Sequence, residues 1–449
     1  MPVFEAQPQG YDVIGRPVQR IDALGHVTGR TQFFEDTRVT GDLLYLKVAR
    51  STRPHALLRE VDAEPALAVK GVVKVLTYRD VPANWYTVLR LIGVEPNDEP
   101  VLAEDRVLYV GEPIAAIVAT SEAAALAGAA AVEVEYEDLP AVLDVEQAVA
   151  EGAPAIKPHG SNSFIYEGHP FRRIRFGDVE RGFAEADRIF EHRYSSAPIE
   201  HAPTETTGCI VVPQPDGRLQ IHSNTQACFF TLDNTALILD VPFGKLRVSG
   251  GTVGGGFGGK VDVMVEPLAC LAARALDKPV KFVYSRAEEM QVSSPRAAER
   301  IYIKDGVMRD GRIVARKITL YVDSGAYSRH SPYGTTKAAA HLPGPYTIPN
   351  VHADCWCVYT NRTPSSAMRG FGVTIADFAL ESQMDRIANE LGIDPWELRL
   401  RNAYRDGDMK AHRKVAEGTA LIEVIQRAAR LVGHELSPES QALSSTAAR

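Results

Sequence analysis

Glycine fills seven of the eleven positions 250–260, GGTVGGGFGGK, which places a loop of unusual backbone freedom between a strand-like run and the helix-like PLACLAARAL. Glycines admit positive φ and let amide N–H groups approach a ligand, so such a loop can present a row of donors to an anionic oxygen. A structural turn needs fewer of them. The pattern is neither the dinucleotide fingerprint nor the phosphate-binding P-loop, because Lys260 is followed by Val261 instead of Ser or Thr. Glycines alone describe a flexible hairpin equally well. Phe257, a large apolar side chain in their midst, favours a ligand-binding loop.

At 449 residues the chain exceeds one ordinary compact core, so two or more domains are expected. Hydrophobic (45%) and charged (24%) fractions are those of a soluble globular protein. The net charge is −8 with lysine and arginine scattered, which gives no field for attracting nucleic acid. The opening MPVFEAQPQG has no basic stretch followed by an apolar one, so a cytoplasmic protein is expected. Apolar runs such as 268–275 are broken by charge short of bilayer length, and no membrane insertion is expected. Cys209, Cys228, Cys270, Cys355 and Cys357 include no C-x-x-C pair; they read as reduced structural thiols, with no iron–sulfur cluster on this chain.

Residues 1–150 mix strand-like runs with helices, among them an alanine-rich helix at 121–131 followed by VEVEY at 132–136, a strand with one face in water. The Gly-, Pro- and Ser-rich stretch 151–163 reads as a linker. A mixed domain is expected over 164–435, with strands at 208–212, 219–223, 246–249, 313–323 and 351–359 and helices at 266–276 and 375–391. Gly392 stands where the latter helix should stop, and Asp394-Pro395 opens another. Residues 436–449 lose hydrophobic period and read as a flexible tail. The fold class is α+β.

A second segment, SSAMRGFG at 365–372, sets Arg369 before a Gly-Phe-Gly turn. Arginine offers a planar fork of donors, and an aromatic ring beside it can cover a flat substrate. Alone, the segment equally describes an arginine satisfying carbonyls near a helix start. In combination, SNTQ (223–226), GGGFGGK (254–260), DSGAY (323–327) and AMRGFG (367–372), in that order, resemble the molybdopterin-binding subunit of the xanthine dehydrogenase and aldehyde oxidase family. RSTRPHALL (50–58) and YEDLPAVLD (136–144) resemble that family's first, hammerhead-like α/β domain.

The resemblance implies a hammerhead-like α/β domain over 1–150 and then a mixed α/β molybdopterin-binding domain. It implies a molybdenum–molybdopterin cofactor in cytosine dinucleotide form. Gln226 and the loop residues Gly256, Phe257 and Gly258 would lie beside an oxo ligand of the metal, Arg369 next to it through its backbone, and Phe371 against the substrate ring. Read without the resemblance, Gln226 is a strand-end amide bonding its neighbours. Val261 replaces the glutamate with which the purine-oxidising branch holds its substrate, and Lys337 falls, counted without gaps, where that branch has a substrate arginine. With Val261 in place of that glutamate, xanthine is disfavoured. The copper-binding cysteine of carbon monoxide dehydrogenases has no counterpart in SSAMRGFG. VGEP at 110–113 resembles the motif bearing the family's general-base glutamate, but it stands ahead of a strand in the N-terminal region, so Glu112 reads as a surface turn residue. No catalytic residue is then expected on this chain, and the base glutamate is expected on a second molybdopterin subunit, the arrangement of nicotinate dehydrogenases. Val261-Asp262 and YTNRTP (359–364) resemble those enzymes further. The implied reaction is hydroxylation of an N-heteroaromatic substrate, a pyridine or its carboxylate, with oxygen from water. Implied companions are a 2Fe–2S subunit and an FAD subunit, in a dimer of such heteromers. An aldehyde-oxidising subunit and a non-catalytic scaffold are the alternatives.

Overall fold

The strand-like runs assemble into two main sheets in the computed structural model, which describes residues 13–90, 93, 97–157 and 161–446. The larger has seven strands in the spatial order Leu246–Gly250, Leu219–Ser223, Gly208–Pro213, Val280–Val283, Leu44–Arg50, Pro113–Ala119 and Val72–Leu76. Leu44–Arg50 runs parallel to Val280–Val283 and antiparallel to Pro113–Ala119, so chain from both sides of 151–163 shares one sheet. Pro113–Ala119, PIAAIVA, is buried almost throughout, as a strand covered on both faces must be. Helix α1 (Glu122–Ala131) starts where Ser121 accepts a hydrogen bond from the Ala124 amide. It sits close to the sheet because Gly128 has no side chain; a Cβ there would lie 2.8 Å from both Ile117 and Val72. Two further helices, α2 (Cys228–Leu239) and α3 (Glu266–Leu276), pack together near the other end of this sheet. Leu268–Ala273 of α3 is buried without interruption, and Asp277 in the left-handed region ends the helix.

The second sheet has the order Arg188–Ser196, Glu299–Val307, Ile313–Gly325, Val351–Tyr359, Arg172–Phe176. Helices α4 (Ser331–His341) and α5 (Thr374–Leu391) bury Ala338, Ala376, Ala379 and Leu380 against its Ile301, Ile303, Ile318 and Leu320. Within this sheet Arg316 and Asp305 are cross-strand partners, both side chains at 0% exposure, joined by bonds of 2.7 and 3.0 Å. Gly392 closes α5 at φ +66, and the Asp394 carboxylate caps α6 (Pro395–Asn402) through the amides of Trp396 and Glu397.

Three expectations need correction. The segment after α7 (Leu421–Leu431) is docked: Leu436, Ser440 and Ser445 are buried, and the Gln426 amide donates to the carbonyls of Ser440 (2.8 Å) and Leu443 (3.0 Å). Polar bonds of this kind leave no hydrophobic period to read; residues 447–449 lie outside the described residues. The stretch 151–163 is no free tether either, since Ile156 is buried and Lys157 pairs with Asp98 at 2.6 Å; its residues 158–160 lie outside the described residues.

Glu112, thirdly, is buried and not a surface turn residue. Its carboxylate accepts from the Leu108 amide and the Tyr327 hydroxyl, and burial pushes its pKa up to about 7 against an ordinary 4.5. A folded-state value above the unfolded one means that ionisation opposes folding: the penalty is absent below about 4.5 and complete above about 7. Glu112→Gln is therefore expected to stabilise the protein by about 1–3 kcal/mol near pH ~8 and to change little near pH ~4. Denaturant midpoints at the two pH values check this, and an equal shift at both would contradict it.

No helix among the described residues is long and apolar enough to cross a membrane.

Candidate functional site

The glycine loop leaves the end of the strand Leu246–Gly250 and is fastened at both its ends by one ion pair. Lys260, fully buried, donates to the Glu205 carbonyl at 2.7 Å and pairs with its carboxylate at 3.1 Å, and the same carboxylate accepts from the Gly254 amide at 2.7 Å. Burial lowers the Lys260 pKa, with Glu205 opposing that shift. Lys260 thus serves the loop's shape.

Gln226 stands between the strand Leu219–Ser223 and α2. Its backbone amide donates to the Lys260 carbonyl at 2.8 Å, and its Oε1 accepts from the amides of Gly258 (3.0 Å) and Lys260 (3.3 Å). Two amide donors fix the oxygen inward, so the Nε2 amino group must face away from the loop. That group is exposed and donates to no protein acceptor among the described residues, and neither do the amides of Gly255, Gly256 and Phe257. The result is a set of neutral donors along one loop that the protein's own acceptors do not engage. Only glycine permits it: a Cβ at Gly256 would stand 2.3 Å from Gln226 Oε1, and one at Gly258 (φ +106°) 2.7 Å from the Ala367 carbonyl oxygen. Phe257 itself takes a left-handed φ of +52° and is 42% exposed.

Arg369 meets this loop twice. Its amide donates to the Phe257 carbonyl at 2.6 Å, and its guanidinium lies 5.4 Å from the centre of the Phe257 ring. Two residues on, Phe371 packs on Gly334 of α4, where a Cβ would be 2.6 Å from the ring, and faces Tyr333 at 6.0 Å. The Lys337 ammonium, one turn further along α4, lies 5.1 Å from the Tyr333 ring centre. Val261, half-buried, follows Lys260 and adds no charge. Gln226, Gly256, Phe257, Gly258 and Arg369 therefore converge, and Phe371, Tyr333 and Lys337 form a second group joined to them through Gly370.

Sequence reasoning assigned no role to the polar layer beneath. Asp262 is buried, 2.6 Å from His330 Nδ1, and accepts from Ser366 (3.0 Å) and Ser294. Burial alone would raise its carboxyl, but His330 and Arg329 outweigh it and hold the pKa below the ordinary range. Arg329, at a left-handed φ of +38°, donates to Ser294 at 2.6 Å and pairs with Glu99 at 2.8 Å. Arg296 donates to the carbonyl oxygens of Arg369 and Gly370. His201 Nε2 lies 2.9 Å from the Ala367 carbonyl. Asp262 thus ties the glycine loop to α4 and to the Arg369 segment. Its neighbour motif pointed at it, but Arg296, His201 and Glu205 stand in stretches with no local signature.

A family model described as the molybdopterin cofactor-binding domain matches residues 160–403, and one described as the aldehyde oxidase and xanthine dehydrogenase a/b hammerhead domain matches residues 28–140. The chain belongs to the xanthine dehydrogenase and aldehyde oxidase family. This family of molybdopterin-binding oxidoreductases includes the nicotinate dehydrogenase large molybdopterin subunit of Eubacterium barkeri, 35% identical over 419 residues, which are 93% of this chain and 96% of that subunit. A probable xanthine dehydrogenase subunit of Bacillus subtilis is 35% identical over 400 residues, 88% of this chain and 52% of that protein. Among solved family members, the aldehyde oxidoreductase of Desulfovibrio gigas superposes with a TM-score of 0.87 at 31% identity, covering 92% of this chain and 46% of that one. Quinoline 2-oxidoreductase of Pseudomonas putida 86 gives 0.85 at 28% identity, covering 93% and 54%. The chain thus spans about half the length of the Bacillus relative and of both solved structures. The hammerhead match and these neighbours bear out the α+β architecture.

Proposed function

We propose that this chain holds a molybdenum–molybdopterin cofactor, in cytosine dinucleotide form, against the 255–258 loop and forms one wall of a hydroxylase site for an N-heteroaromatic substrate. The observation that carries the reading is the unspent donor cluster: Gln226 Nε2 and the loop amides are neutral groups suited to an anionic oxygen, kept free by glycines that leave no room for side chains. When bound, the cofactor supplies the redox chemistry that transfers water-derived oxygen to an electron-poor carbon. The chain's own contribution is positional. Gln226 and the loop would orient the group, Arg369 would fix the loop through Phe257, and Phe371 with Val261 would give a flat, uncharged wall that keeps water from the reacting face. Lys337, beside Tyr333, would balance an anionic substituent such as a pyridine carboxylate.

The carboxylates nearest the loop are already engaged, Glu205 with Lys260 and Asp262 with His330. We therefore assign the general base to a second molybdopterin subunit, with 2Fe–2S and FAD subunits carrying the electrons onward in a heteromeric complex. The likeness to the large molybdopterin subunit of Eubacterium barkeri nicotinate dehydrogenase supports the division. An aldehyde as substrate is favoured by one observation, the likeness to an aldehyde oxidoreductase; turnover on a panel of pyridines, their carboxylates and aldehydes decides between them. The cofactor reading is tested by metal analysis of the purified complex. Wild type should carry molybdenum, and Gln226→Ala should lower kcat by about tenfold to a hundredfold, the range for losing one positioned donor. A complex free of molybdenum, or full activity in Gln226→Ala, would overturn it.

A further inference from the structure

The C-terminal end of α4 carries a charge pattern that the site above does not use. His341 follows Lys337 by one turn, and its Nδ1 lies 2.8 Å from the Lys337 carbonyl. Beyond it the chain folds back as a hairpin over 409–415: Met409 pairs with Val415, the Lys410 amide donates to the Lys414 carbonyl at 2.9 Å, and Ala411 is buried. Lys410, His412, Lys414 and His341 then surround a groove of about 640 Å³, with Tyr404 on its wall and Asp377 as its one carboxylate. His412 stands beside Ala340 at the end of α4, on the wall of the same groove.

The His341 imidazole has work to do there, since it bonds the Lys337 carbonyl near the end of α4. The lysines do not share it. Neither ammonium has an ion-pair or hydrogen-bond partner among the described residues. Their presence is felt nonetheless: burial first, and then Lys410, His341 and Lys414 as like charges, lower the His412 pKa. Uncompensated cations crowded into a concavity run against a chain whose net charge is −8. The two lysines outnumber the one carboxylate of the groove, so it favours an anion, and lysine ammonium groups are common phosphate partners.

We propose that this groove is a binding site for a phosphate-bearing small molecule, with Lys410 and Lys414 on its phosphate oxygens. His341 lies one turn along α4 from Lys337, about 6 Å at the helical rise, so the groove adjoins the candidate site and shares no residue with it. It stands whether or not the glycine loop holds a molybdenum cofactor. Two sources share this chemistry, a free nucleotide and the nucleotide end of a pterin cofactor.

The test is calorimetric titration of pyrophosphate into the full chain as purified with its companions, at about 0.1 M salt, against chloride at equal ionic strength. Pyrophosphate should bind in preference to chloride. Lys410→Gln combined with Lys414→Gln should weaken it by about tenfold or more and flatten its salt dependence. The melting temperature should not move, because the two ammonium groups support nothing in the fold. Lys278→Gln, which removes an exposed lysine paired with Asp42 elsewhere, should leave binding unchanged. If the double variant also strips nucleotide from the loaded complex, the phosphate belongs to the cofactor; if the nucleotide stays while pyrophosphate binding falls, the ligand is a free one. Pyrophosphate binding no better than chloride, or unchanged in the double variant, overturns the proposal.

Discussion

Gly258→Ala is expected to destabilise the protein by about 2–4 kcal/mol and to empty the candidate site, because strain and collision act together. The new Cβ would sit at φ +106°, where L side chains are rarely tolerated, and 2.7 Å from the carbonyl oxygen of Ala367. That neighbour is backbone, as is Met368 Cα at 3.0 Å, and neither can swing aside. The Arg369 segment would have to move away from the loop, breaking the bond between the Arg369 amide and the Phe257 carbonyl. Gly256→Ala differs in an instructive way. Its nearest neighbour is the Gln226 side chain at 2.3 Å, which can rotate, so less stability but the same donor orientation is lost. Gly251, where an added Cβ would meet nothing within 4 Å and φ is not left-handed, is the control. Denaturation midpoints and the molybdenum content of the three variants check the set; Gly258→Ala as stable as Gly251→Ala would show that the loop is not packed as described.

The second large effect concerns the core alone. Asp305→Ala leaves the Arg316 guanidinium at 0% exposure with its charge unanswered, and a loss of about 3–5 kcal/mol is expected. The remaining contacts of Arg316, a 3.4 Å bond to the Pro343 carbonyl and the Met384 sulfur at 3.9 Å, are too weak to replace a bidentate carboxylate. Arg316→Met in the same chain should restore most of the loss, because it removes the stranded charge. A double-mutant cycle measured by urea unfolding reads both numbers. A single variant within about 0.5 kcal/mol of wild type, the range of an ordinary surface change, would contradict the account.

What the sequence made legible follows from how local each signal is. The helix 266–276 and the strands 219–223 and 351–359 match their expected bounds, since each carries its own run of buried apolar residues or its own proline and glycine stops. The candidate site was legible through glycines and a Gly-Phe-Gly turn, whose backbone demands show in the letters themselves. Glu112 was misread because its burial is imposed by Leu108 and by Tyr327, which lies 215 positions away, and nothing in VGEP announces either. Arg296, Glu205 and His201 escaped for the same reason: each is defined by a distant carbonyl or amide. The docked segment after α7 shows the complementary failure, a polar stretch held by side-chain amides that periodicity cannot detect.

The pairing of Leu44–Arg50 with Val280–Val283 has a consequence for synthesis. The strand that leaves the ribosome first must wait for a neighbour made more than two hundred residues later, at elongation rates of about 5–20 residues per second a delay of tens of seconds. Throughout that interval one side of an apolar strand is uncovered, so the nascent chain is exposed to aggregation until residue 283 emerges.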